Sequence, residues 1–135
     1  MAENKFELKI ITPDAMFYER EADFVEFTAT TGEMGVYAQH VPTTTILEPC
    51  VVTIHNGDEQ KKAAVAGGFV EILKERITIM AEDANWPEDI DLERAKKAKE
   101  RAEKWLTRKD DAKTDVARAE TALKRAIARI EAVEK

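Results

Sequence analysis

Two adjacent stretches decide the fold: Phe69-Val70-Glu71-Ile72-Leu73-Lys74-Glu75-Arg76-Ile77-Thr78-Ile79-Met80, and then Trp86-Pro87-Glu88-Asp89-Ile90-Asp91-Leu92-Glu93-Arg94-Ala95. The first holds two β-prone runs, Phe69 to Leu73 and Ile77 to Met80, with Lys74-Glu75-Arg76 as the turn between them. The second is a helix-start cluster: a proline, then acids where the positive end of a helix dipole will lie. Asp91 is the predicted cap, with Asp89 as the other candidate. Between the two stretches the apolar period changes from strand-like to helix-like. The chain therefore divides into a strand domain over 1–86 and a helical domain over 87–135.

Upstream of this junction the strand reading continues. Phe6, Leu8 and Ile10 alternate with Glu7, Lys9 and Ile11 before Thr12-Pro13-Asp14 breaks the run. Phe24 to Phe27 and Thr28 to Thr31 are β-prone and stop at Gly32. Val51 to Ile54 end at His55-Asn56-Gly57-Asp58, and Asn-Gly is a strong hairpin signal. Ala63, Ala64 and Val65 then lead to Gly67-Gly68. Many short strands with regular turns predict a sandwich or barrel, and no helical period interrupts 1–85.

Downstream, Ala95, Ala98, Ala102 and Trp105 or Leu106 recur at helical spacing. The pattern lapses around Thr107 to Asp111. A second stripe runs through Val116, Ala119, Leu123, Ile127 (or Ala126), Ile130 and Val133. Two amphipathic helices with a short polar loop predict an antiparallel hairpin. The fold class is thus α+β: an N-terminal antiparallel β-sandwich followed by a C-terminal antiparallel two-helix hairpin. The stripes are rich in alanine. A buried methyl contributes about 0.8 kcal/mol, against about 1.5–3 kcal/mol for a buried leucine. Such helices pack closely, cohere weakly and persist if separated, because their helix propensity is high. That suits an element that rearranges. Periodicity by itself still favours the plainer reading, a static hairpin docked on the sandwich.

Charge narrows the function. Residues 1–87 carry 7 Lys and Arg against 15 Asp and Glu, a balance of −8, while 88–135 carry 14 against 12. The acidic body argues against nucleic acid as a partner. No apolar run approaches the roughly 18 residues of a membrane span, and the first residues lack a signal-peptide layout, so a cytosolic chain without direct membrane insertion is expected. One cysteine and two distant histidines predict neither a disulfide nor a metal site. No catalytic centre stands out, and no phosphate loop or nucleophile elbow is present. A nucleophile–base pair of Cys50 and His40 is outweighed by a buried structural cysteine and a loop histidine.

The arginines of the tail need another explanation. Arg94 and Arg101 share a face of the first helix, and Arg118, Arg125 and Arg129 share a face of the second. In an antiparallel hairpin the two rows converge, and a guanidinium fork matches phosphate oxygens. Arg94 also lies where helix N-terminal amides attract an anion. The competing reading is surface ion pairing, since Glu93–Lys97, Glu100–Lys104 and Glu120–Lys124 stand at i, i+4. Spacing alone favours that competitor, although it leaves the arginines unassigned.

In order along the chain, Thr12-Pro13-Asp14, Gly32-Glu33-Met34-Gly35, His40-Val41-Pro42 and Gly67-Gly68-Phe69 resemble the signature of the epsilon-subunit family of bacterial F-type ATP synthases. Ile90-Asp91-Leu92-Glu93-Arg94-Ala95 resembles that family's ATP-binding motif. The resemblance covers nearly the whole chain. It implies a non-catalytic regulatory subunit, peripheral on the cytoplasmic face of the cell membrane. It implies partners as well: the gamma subunit, the c-ring of the membrane rotor and, for the extended helices, the alpha/beta catalytic head. Extended helices block ATP hydrolysis in the family, and in some bacterial members ATP, with or without magnesium, favours the folded-down form. The resemblance carries an ATP site over to Ile90, Asp91, Arg94, Ala95, Arg101, Arg118, Arg125 and Arg129. Two departures stand out. Asn85 replaces a glutamate found in some nucleotide-binding members, and the inter-helix loop is one residue longer than usual. A constitutive inhibitory or structural tail without an ATP response is the alternative.

Overall fold

The computed structural model describes residues 4–108 and 115–134. Among the described residues ten strands precede two helices. They are β1 (Phe6–Ile11), β2 (Met16–Ala22), β3 (Phe24–Ala29), β4 (Gly32–Tyr37), β5 (Thr43–Leu47), β6 (Cys50–Asn56), β7 (Glu59–Val65), β8 (Gly68–Ile72), β9 (Arg76–Ala81) and β10 (Ala84–Asn85). A single 3-10 turn, Pro87–Asp89, leads into α1 (Leu92–Thr107) and α2 (Val116–Glu134). The expected β-sandwich and helical pair are both present.

The strands run β10-β7-β6-β3-β5-β8-β9-β1-β2 across one hydrogen-bonded sheet, with β4 paired to β3. All pairings are antiparallel except β1 with β9. The sheet wraps around a single core in which Phe6, Leu8 and Ile10 of β1 meet Val25, Val52, Val70, Ile77 and Ile79. The apolar alternation of β1 that marks it as a strand is the same alternation that places these side chains inside. The Asn-Gly signal is a true hairpin: Asn56 pairs with Glu59 across Gly57-Asp58, and Gly57 has φ +62. A left-handed conformation there is what glycine permits at little cost.

Asp91 is the cap of α1, its Oδ1 accepting from the Arg94 amide at 3.1 Å. Asp115 does the same for α2 at the Arg118 amide, 3.0 Å. The two helices pack on each other, and Lys96 near the start of α1 pairs with Glu134 at the end of α2, so they run antiparallel. The longer inter-helix loop falls within 109–114, outside the described residues. Of the first stripe, Ala95 and Ala102 are buried, whereas Trp105 is 45 % exposed and Leu106 half-buried. The second stripe supplies Ala119 and Ala126 as buried residues. It omits Ala128 and Ala132, which are buried too, against Ala64 with Val51 and Ile90 beside them. These form the face of α2 that sits on β6 and β7. A helix serving two neighbours has two apolar faces, and alanines on the second dilute its period.

Candidate functional site

The junction between sandwich and hairpin builds a cleft of about 580 Å³. Its floor is the segment that the sequence singles out. Ile90, Asp91, Arg94 and Ala95 all line it, as does Arg101 two turns along α1. Arg129 enters from α2, and Asp83 and Asn85 from the end of the sandwich. Asp91 does two jobs by position: it caps the helix and borders the cleft. Arg94, Lys97 and Arg101 stand at i, i+3 and i+7, so one helix face presents three cations to the same space. Among the described residues none of the three forms an ion pair. Among the described residues the i, i+4 pairs of the competing reading do not close. Lys124 pairs with Glu48 of the sandwich at 3.5 Å instead of with Glu120.

The remaining arginines are placed differently. Arg125 lies in a narrow recess next to the cleft, shared with Asn85 and Arg129. Its Nε donates to the Ala66 carbonyl at 3.2 Å and its Nη2 to Glu82 at 2.6 Å. Arg129 Nη2 reaches Asp83 Oδ2 at 3.5 Å. Arg118 is exposed and lines neither the cleft nor the recess. Lys97 and Asp89 line the cleft without having been singled out as ligands. Spacing from Arg94 is a signal for Lys97. No signal in the sequence pairs Asp83 with Arg129, because that contact joins residues 46 apart.

The cleft mixes cations with the carboxylates of Asp83, Asp89 and Asp91. Four cations, three of them without an ion pair among the described residues, lie along the cleft beside the N-terminus of α1. It offers no nucleophile and base in reach of each other. Cys50 is buried, and its Sγ accepts from the Thr28 amide at 3.4 Å. Burial pushes its thiol up to about 11, the Thr28 contacts opposing only in part. His40 Nδ1 donates to the Val41 carbonyl at 2.7 Å, a local loop contact. Among the described residues no group of three or more metal-ligating side chains converges.

A second surface lies on the sandwich. Ile46 faces Phe69, Phe69 faces Met80, Met80 faces Ile11, and Ile11 faces Met16 across a bulge. Ile46, Phe69, Met80 and Met16 are 41–61 % exposed. This is a continuous apolar ladder over five neighbouring strands, about 19 Å long at the usual strand spacing. The next rung on β1 and β2 is polar, with Lys9 between Glu7 and Glu19.

Comparison with known families settles the relationship. Residues 5–87 match the beta-sandwich domain of the ATP synthase delta/epsilon chain, and residues 88–134 match its long alpha-helix domain. The chain belongs to the ATP synthase delta/epsilon family. Within that family it is 40% identical over 131 residues to the ATP synthase epsilon chain of Caldanaerobacter subterraneus, covering 96% of this chain and 94% of that one. It is 42% identical over 126 residues to the ATP synthase epsilon chain of Bacillus cytotoxicus, covering 93% and 94%. A chain in the Euglena gracilis mitochondrial ATP synthase, a structure of its OSCP, F1 and c-ring, superposes with a TM-score of 0.82. That match has 24% identity and covers 97% of this chain and 82% of that one, which supports the fold. The delta/epsilon-family sandwich and helices are thus both present here. Among the described residues no helix is long and apolar enough to cross a membrane.

Proposed function

We propose that this chain is the non-catalytic epsilon subunit in the central stalk of an F-type ATP synthase, and that its hairpin is a nucleotide-responsive brake. The cleft carries this reading: along the first turns of α1, Arg94, Lys97 and Arg101 stand without an ion pair among the described residues when the hairpin is folded on the sandwich. A triphosphate bound there bridges α1, α2 and the sandwich edge. It therefore stabilises the folded-down hairpin and withholds the helices from the catalytic head. Ligand linkage at tenfold excess over Kd supplies about 1.4 kcal/mol, enough to shift two states already close in energy. The alanine-lined seat of α2 on Ala64 supports such closeness. Ile90 and Ala95 offer apolar contact beside the cations, which suits a base rather than a bare phosphate.

The apolar ladder from Ile46 to Met16 supports a stalk contact, with the gamma subunit as the partner and the c-ring beneath. A peripheral position on the cytoplasmic face of the membrane is part of the same proposal. In calorimetry with ATP, Asp91→Ala combined with Arg94→Ala is expected to abolish binding. Unchanged affinity in that double variant would remove the site. In the assembled enzyme, deleting 88–135 is expected to accelerate ATP hydrolysis. The neutral Asn85 in the cleft favours one other reading, a constitutive tail. That reading predicts the same acceleration on deletion but no heat of ATP binding.

A further inference from the structure

Two neighbouring carboxylates in the turn between β9 and β10 reach two successive turns of α2 on different terms. Arg125 is committed to the sandwich: it donates to Glu82 at 2.6 Å and to the Ala66 carbonyl at 3.2 Å. Arg129 meets Asp83 at 3.5 Å, the outer edge of a hydrogen bond. Among the described residues it makes no other polar contact. A guanidinium has five N–H donors, so most of those on Arg129 are unspent. Both Arg129 and Asp83 line the anion cleft, whereas Arg125 and Glu82 do not.

We infer that Asp83 is a built-in competitor for the anion at Arg129 and sets the affinity of the cleft, while the Arg125–Glu82 pair keeps α2 seated during the exchange. The inference rests on the nucleotide reading above. A carboxylate and a phosphate oxygen are alternative acceptors for one guanidinium fork. In the empty cleft Asp83 fills that role loosely. On binding, the triphosphate replaces it, and Asp83 turns to solvent, where it is already more than half exposed. The empty hairpin is thereby held down weakly, and the affinity for nucleotide is held below what the cations alone would give.

Calorimetric titration of the full chain with ATP tests this through three single substitutions. Asp83→Asn removes the competitor and is expected to tighten binding about two- to fivefold, the range of an exposed ion pair. Asp89→Asn removes an equal charge from the same cleft, but one that forms no ion pair among the described residues, and is expected to gain clearly less. Glu82→Gln loosens the seat of α2 and is expected to leave affinity equal or weaker. Opposite outcomes for the adjacent Glu82 and Asp83 are not what plain charge relief produces. Equal or weaker binding by Asp83→Asn, or an equal gain in all three variants, overturns the competitor. If neither the parent chain nor Asp83→Asn binds ATP at millimolar concentration, the nucleotide reading itself falls and takes this inference with it.

Discussion

At Gly68 the backbone has φ +144, and an added Cβ would sit 1.9 Å from the Met80 carbonyl oxygen. The close approach is between β8 and β9, where Gly68 faces Ala81. Gly68→Ala is expected to cost at least about 2 kcal/mol in urea unfolding, because both strain and a backbone clash must be relieved. An unchanged midpoint would show that the strands part without cost. The Asp91 cap was legible in the sequence because its chemistry is local; the glycine pair was legible as a turn signal, but the approach of Met80 that demands Gly68 was not. Asp91→Ala is expected to lose about 1 kcal/mol of helix stability, read by circular dichroism during thermal unfolding. Cys50 adds a prediction in alkali. Its thiol is raised to about 11 by burial, so the protonated form is the one that folding favours. The associated stability is complete below the ordinary thiol range and is lost as pH rises through about 11. At pH 8 its alkylation is expected to run about a hundredfold slower than at an exposed cysteine, from the smaller thiolate fraction alone. A rate matching an exposed thiol would contradict its burial between β6 and β3.

The hairpin illustrates why an element is read more easily than its seat. Its two helices were legible from apolar period, acid-rich start and polar break. The face of α2 that meets the sandwich was not, because Ala128 and Ala132 look neutral in any amphipathic pattern. Their burial comes from Ala64 on β7, which only the folded sheet brings beneath them. The same limit applied to the arginines. Spacing put Arg94 and Arg101 on one face correctly, but could not separate Arg129 in the cleft from Arg125 in the recess or from the outlying Arg118. The small alanine contact also makes the seat easy to disturb. Ala128→Phe forces a ring against Ala64, Val51 and Ile90, and overpacking of this kind costs about 1–3 kcal/mol. The expected outcome is a displaced hairpin above an intact sandwich. Brief trypsin treatment reads it, since the tail is dense in lysine and arginine. Cleavage of α2 should accelerate while the sandwich fragment survives. If the hairpin is cut no faster, its docking does not depend on this contact.

Across the molecule the charges are arranged as sequence asymmetry suggested, but the reason differs from simple bulk attraction. The sandwich is acidic and the tail nearly balanced, yet three tail cations meet sandwich acids individually: Lys124 with Glu48, Arg125 with Glu82 and Arg129 with Asp83. Each is an exposed pair worth about 0.2–1 kcal/mol, and salt weakens all three. The apolar part of the seat is a few alanine methyl groups at about 0.8 kcal/mol each. Neither contribution dominates, so the balance between docked and free hairpin should follow ionic strength. Raising sodium chloride shrinks the screening length from about 10 Å at 0.1 M to about 3 Å at 1 M. The apolar core of the sandwich has no such dependence. Between low and high salt, trypsin cleavage within α2 is therefore expected to quicken several-fold, while the unfolding temperature of the sandwich barely moves. ATP present in excess should oppose the effect, because it ties Arg129 of α2 together with Arg94 and Arg101 of α1 to one ligand of higher charge than Asp83. Salt-independent cleavage would place the cohesion of the docked hairpin in its methyl contacts, and the arginines would then serve the cleft alone.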